Sequence, residues 1–92
     1  MTDQEKKVIQ EANGLLAGIG FRMVKDGDNE YSIRNRAGKS VAHGDLETVF
    51  YCAAFMSGDA ESNPAKYAAL NQPLNENPMY LAGRAMAKKL MN

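Results

Sequence analysis

The sequence predicts an α+β fold: a three-stranded antiparallel sheet with helices on one face, in the order α-β-β-β-α-α-α, forming a single domain over residues 1–92. Three observations predict it. Apolar residues recur at helical spacing between Val8 and Ile19. The period drops to two between Ile19 and Val41, with turn-forming residues between the alternating runs. Helix-start signals then recur at Asp45, at Asn63-Pro64 and at Asn77-Pro78.

Thr2 and Glu5 have the spacing of a capping box, in which each side chain satisfies the other's backbone N–H. Val8, Ile9, Ala12, Leu15, Leu16 and Ile19 follow as one apolar stripe, and Gly18 or Gly20 ends the helix. In "IGFRMVK", Ile19, Phe21 and Met23 point one way and Arg22 the other. "DGDN" (Asp26 to Asn29) is a turn. Tyr31 and Ile33 share one face of the next strand, with Ser32, Arg34 and Arg36 on the opposite face. Gly38 turns the chain, and "KSVAH" supplies a short third strand. Asp45 caps "LETVFYCAAFMS", which Gly58 closes. "GDAESNP" reads as a loop, "PAKYAALN" as a short helix and "QPLNENP" as a second loop. The final helix is "PMYLAGRAMAKKLMN", where Gly83 and Ala87 allow another helix to come close.

The chain has 92 residues, enough to bury roughly 60–65 % of its unfolded surface in one modest core. Eleven basic residues balance eleven acidic ones, which argues against both a general nucleic-acid coat and an acidic DNA mimic. The single cysteine, Cys52, excludes an intrachain disulfide. The polar start "MTDQEKKVIQ" is unlike a secretory leader, and the longest apolar run, "VFYCAAFM", is too short to span a bilayer. The expected location is the cytoplasm of a bacterial host.

No stretch carries catalytic or ligand-holding chemistry. Gly38-Lys39-Ser40 ends like a phosphate-binding P-loop, but the glycine that motif requires five positions upstream is Ile33. His43, Asp45 and Glu47 alternate, yet they lie within five residues and lack an identifiable fourth metal ligand. Cys52 sits in the most apolar run, where a buried structural thiol is expected in place of a nucleophile. No isolated carboxylate pair stands in apolar surroundings to serve as acid and base. The expectation is a non-enzyme with no catalytic residue, metal, cofactor, small-molecule substrate or membrane association.

Binding is the sharper expectation. Alternation gathers Arg22, Arg34 and Arg36 on the polar sheet face, with Asn35 and Lys39 in the adjoining turn. Guanidinium groups contact phosphate or carboxylate bidentately. Tyr31, Tyr67 and Tyr80 are the aromatic candidates for protein contact. A solvated face that keeps the protein soluble is the plainer alternative for the charges, and burial under the C-terminal helices is the alternative for the aromatic and sulfur-bearing residues.

The α-β-β-β-α order of residues 3–57 resembles double-stranded-RNA-binding domains in topology. It departs from them where they carry a basic K-K-x-A-K stretch at the last helix, because "HGDLETVF" is acidic. In length and overall character, including the arginine-bearing run from "GFRMVK" through "YSIRNRAGK", the chain resembles phage-encoded anti-CRISPR proteins that act on type I-F surveillance (Csy) complexes. That resemblance implies stoichiometric binding to protein subunits of an RNA-guided complex, with Arg22, Arg34, Arg36 and Lys39 on guide-RNA phosphates or acidic side chains. Capture of target DNA or recruitment of the nuclease would be blocked. A free-standing RNA- or DNA-binding module using the same arginines is the alternative.

Overall fold

A computed structural model describes residues 2–68 and 73–91. The first helix, α1 (Asp3–Leu16), opens with Thr2, whose hydroxyl accepts from the Glu5 N–H at 3.1 Å. Only this half of the expected capping box forms. The Glu5 carboxylate turns away to accept from Lys25 Nζ at 2.9 Å and from the Tyr31 hydroxyl at 3.1 Å. A short 3₁₀ turn, Ala17–Ile19, follows, and Gly20 takes the left-handed conformation (φ 81°) that ends it. Ile19 therefore belongs to this turn and stays 44 % exposed, rather than opening the first strand with Phe21 and Met23 as its alternation suggests.

Three strands, β1 (Arg22–Gly27), β2 (Glu30–Arg34) and β3 (Ser40–Gly44), pair antiparallel in the order β1-β2-β3. Arg22 lies opposite Arg34, and Arg34 opposite Ser40, at one end of the sheet. Gly27 lies opposite Glu30, and Tyr31 opposite Gly44, at the other. The first turn is tighter than the tetrad "DGDN" implies: β1 runs on through Asp26 to Gly27, and Asn29 supplies a positive φ of 52°. The Asn13 side chain lies along the β1 edge. It accepts from the Met23 N–H at 2.7 Å and donates to the Met23 carbonyl at 3.2 Å, so it satisfies backbone groups that an edge strand otherwise leaves open.

Asp45 accepts from the Thr48 N–H at 2.8 Å and starts α2 (Leu46–Met56), ended at Gly58 in the left-handed region. The stretch after it is not wholly loop. Asp59–Ser62 forms a helical turn, α3, before Pro64 opens α4 (Pro64–Ala68). The predicted continuation of α4 from 69 to 71 lies outside the described residues. Asn77 accepts from the N–H groups of Met79 and Tyr80 at 2.9 and 3.2 Å, and Pro78 begins α5 (Pro78–Met91).

Both α1 and α2 cover the same sheet face, and α5 packs along α2. The main core joins Ala12 and Leu16 of α1, Met23, Tyr31, Ile33 and Ala42 of the sheet, Val49, Cys52, Ala53 and Met56 of α2, and Ala87 of α5. Leu16, Ile33, Val49 and Cys52 are 0 % exposed. A second cluster of Tyr51, Ala54, Ala60, Tyr67 and Tyr80 ties α3, α4 and α5 to the far side of α2. The approach of α5 to α2 depends on Gly83: a Cβ there would lie 2.7 Å from Cys52 N, Thr48 O and Tyr51 Cβ. Among the described residues no helix is long and apolar enough to cross a membrane.

Candidate functional site

The β2–β3 turn is built by Asn35. Its Oδ1 accepts from the N–H groups of Ala37 and Lys39, both at 3.0 Å, and its own N–H donates to the Lys39 carbonyl at 3.0 Å. Gly38 takes φ 83° and donates to the Asn35 carbonyl at 2.9 Å, as a turn glycine does. Asn35, expected at a contact surface, instead has its amide oxygen committed to holding this turn.

Arg34 is likewise committed. Its Nη1 donates to the Gly38 carbonyl and its Nη2 to Asp26 Oδ1, both at 2.9 Å. The tetrad "DGDN" predicts Asp26 in the turn, but extension of β1 carries it into the sheet, within reach of Arg34. Two arginines directly opposite each other, Arg22 and Arg34, repel, and the Asp26 carboxylate offsets that. Ser32, 1 % exposed, lies on the outer face between Val24 of β1 and His43 of β3. Its hydroxyl makes no hydrogen bond of ordinary geometry, yet it lies close enough to Asp26 to hold that carboxyl below its usual range, ahead of Arg34 in effect.

Arg36 is in the turn, not on the strand face with Arg34. Its guanidinium lies over Gly20, where a Cβ would meet Arg36 Nε at 2.9 Å. A shallow groove between the two loops at this end is lined by Ile19, Gly20, Phe21, Asn35 and Arg36. The predicted cation set thus divides. Arg34 is bound within the fold, whereas Arg22, Arg36 and Lys39 are exposed at one end of the sheet. Among the described residues none of these three has a carboxylate within 4.0 Å.

The three tyrosines are core residues, not surface contacts. Tyr31 is 3 % exposed, faces the helices and donates to Glu5. Lys25 bonds the same carboxylate and sits 5.7 Å from the Tyr31 ring centroid. The Lys25 bond holds the Glu5 carboxyl below its usual range and raises the Lys25 ammonium, while burial raises the Tyr31 phenol. Tyr67 and Tyr80, 2 % and 7 % exposed, pack edge-on to Tyr51 at 6.3 and 5.7 Å between centroids. Alternation and helical spacing show which residues share a face. They do not show that α4 and α5 close over Tyr51.

A second polar cluster joins α3, α4 and α1. Tyr67 donates to Asp59, and Lys66 bridges Asp59 at 2.9 Å and Glu11 at 2.8 Å. The Tyr67 hydroxyl, followed by Lys66, lowers the Asp59 carboxyl to about 2. Burial, then Asp59, raises the Tyr67 phenol, so it stays a donor at neutral pH. Cys52 is buried, and desolvation pushes its thiol up to about 12, which suppresses the reactive thiolate. His43 is exposed, and no group of three metal-binding side chains is assembled among the described residues.

Comparison of the chain with family models, curated proteins and solved structures finds no match.

Proposed function

We propose that this chain is a small non-catalytic inhibitor of the bacterial cytoplasm. In this reading it docks on a type I-F CRISPR RNA-guided surveillance complex and blocks target DNA binding. The observation that supports the proposal is the trio Arg22, Arg36 and Lys39, exposed and free of carboxylate partners among the described residues. Charge-assisted contacts from such a trio suit guide-RNA phosphates or acidic side chains. Exchange of a DNA duplex for a guide–target heteroduplex is nearly balanced in free energy, so a bound obstruction of modest affinity tips it. Arg34, Asn35 and the three tyrosines drop out of the contact set because their polar groups or rings are used inside the fold.

The test is a gel shift of target DNA by a purified type I-F complex, with and without the protein. Inhibition, and its loss in a variant carrying Arg22→Glu, Arg36→Glu and Lys39→Glu that keeps a native circular-dichroism spectrum, is the expected result. Full DNA binding in the presence of excess wild-type protein would overturn the proposal.

A further inference from the structure

The chain is neutral in sum but not in space. Strand β3 passes directly through Asp45 into α2, so α2 runs back over the sheet and ends at the Arg22–Arg34–Ser40 end. α5 runs alongside in the same direction: Met79 meets Thr48, Gly83 meets Cys52, and Arg84 stacks on Phe55 at 5.6 Å. The C-terminal half of α5 therefore reaches the end of the molecule that carries Arg22, Arg36 and Lys39. It brings Arg84, Lys88 and Lys89, all exposed, on a helix with no acidic residue. None of the three has a carboxylate within 4.0 Å among the described residues. The opposite end gathers Asp28, Glu30, Asp45, Glu47 and Glu76, from the β1–β2 turn and the starts of α2 and α5, and stays acidic in sum with Asp3, Lys6 and Lys7 exposed beside them at the start of α1. Of the acids on α3, which follows α2, Asp59 is bound by Lys66 and Tyr67, leaving Glu61 as the exposed one.

Folding stability alone does not account for this segregation. A helix C-terminus carries about half a negative charge, which one lysine satisfies. Interleaved signs would stabilise a neutral chain more than two separated poles do. A pole of six cations, by contrast, orients the molecule toward a polyanion before contact. Arg84 and Lys88 are four residues apart, about 6 Å along the helix, within reach of alternate phosphates along a stacked strand at about 3.4 Å per phosphate.

We infer that α5 and the basic end of the sheet form one phosphate-binding end of the molecule for a single-stranded RNA backbone. This rests on the reading of Arg22, Arg36 and Lys39 as phosphate contacts and adds Arg84, Lys88 and Lys89 to them. The probe is a labelled single-stranded RNA oligonucleotide, its binding to the full chain followed by fluorescence anisotropy across a salt series. Six phosphate contacts give a log–log salt slope of about −4, at about −0.7 per contact. Changing Arg84, Lys88 and Lys89 to Gln halves the slope to about −2, and changing Arg22, Arg36 and Lys39 to Gln does the same. An unchanged slope in the α5 variant, or no binding at low salt, overturns the inference. In either case inhibition of the purified surveillance complex, lost on reversing the sheet-end charges, would leave the inhibitor proposal standing.

Discussion

Replacing Gly83 by alanine tests the closeness of the α2–α5 contact, and the sign of the outcome is decided by two opposed magnitudes. Alanine is favoured over glycine in a helix interior by about 0.8–1 kcal/mol. At Gly83 the added Cβ would lie 2.7 Å from Cys52 N, Thr48 O and Tyr51 Cβ, where ordinary contact is about 3.5–4.0 Å. Two of these atoms are backbone of α2 and cannot rotate away, so the helices must part by about 1 Å. Overpacking of this kind costs about 1–3 kcal/mol, and a rigid backbone neighbour places it at the upper end. The net is a loss of about 2 kcal/mol, a fall in Tm of about 8–16 °C for a domain of this size. Gly14 of α1 is the internal control, because a Cβ there meets nothing within 4 Å. Gly14→Ala should gain up to about 1 kcal/mol. Urea unfolding followed by far-ultraviolet circular dichroism reads both. If Gly83→Ala matches or exceeds the wild type in stability, α5 does not approach α2 as described.

Removing the Tyr67 hydroxyl with Tyr67→Phe loses a bond to a carboxylate, roughly 2 kcal/mol at neutral pH. It also changes the acid limb. Asp59 has its folded value depressed to about 2 from 3.8. Its contribution is thus full above about pH 4 and disappears as pH falls through about 2. Tyr67→Phe should flatten Tm against pH across that window, and an unaltered slope there would remove Tyr67 as the cause. Cys52 should resist a thiol reagent in the native protein and react on urea unfolding, at a rate set by opening; rapid labelling of the native state would contradict its burial. Asp45→Ala should lower stability by about 1 kcal/mol through loss of the Thr48 N–H bond, while Asp45→Asn retains most of it, as read by urea midpoints.

Much of the fold is legible because its signals are local. Caps at Thr2, Asp45 and Asn77, prolines at 64 and 78, and glycines at 20, 38 and 58 each act within four residues of chain. Alternation in β2 placed Tyr31 and Ile33 toward the helices, as found. The small pair Gly83 and Ala87 marked the helix contact that α5 makes. The short α3 was missed because a four-residue helix has too little periodicity to show.

The candidate site was legible only in part. Which side chains are cationic is written in the sequence. Which of them remain free depends on where each acid arrives in space. Asp26 reaches Arg34 because β1 extends past the expected turn, and Lys25 reaches Glu5 because α1 crosses β1. Tyr67 and Tyr80 close on Tyr51 from segments 16 and 29 positions away, a meeting that no local pattern encodes. The sequence by itself determined the elements and their faces, since propensity, capping and period act along the chain. Tertiary structure alone decided which charges pair and which gather at one end, since Coulomb and packing energies depend on distances through space.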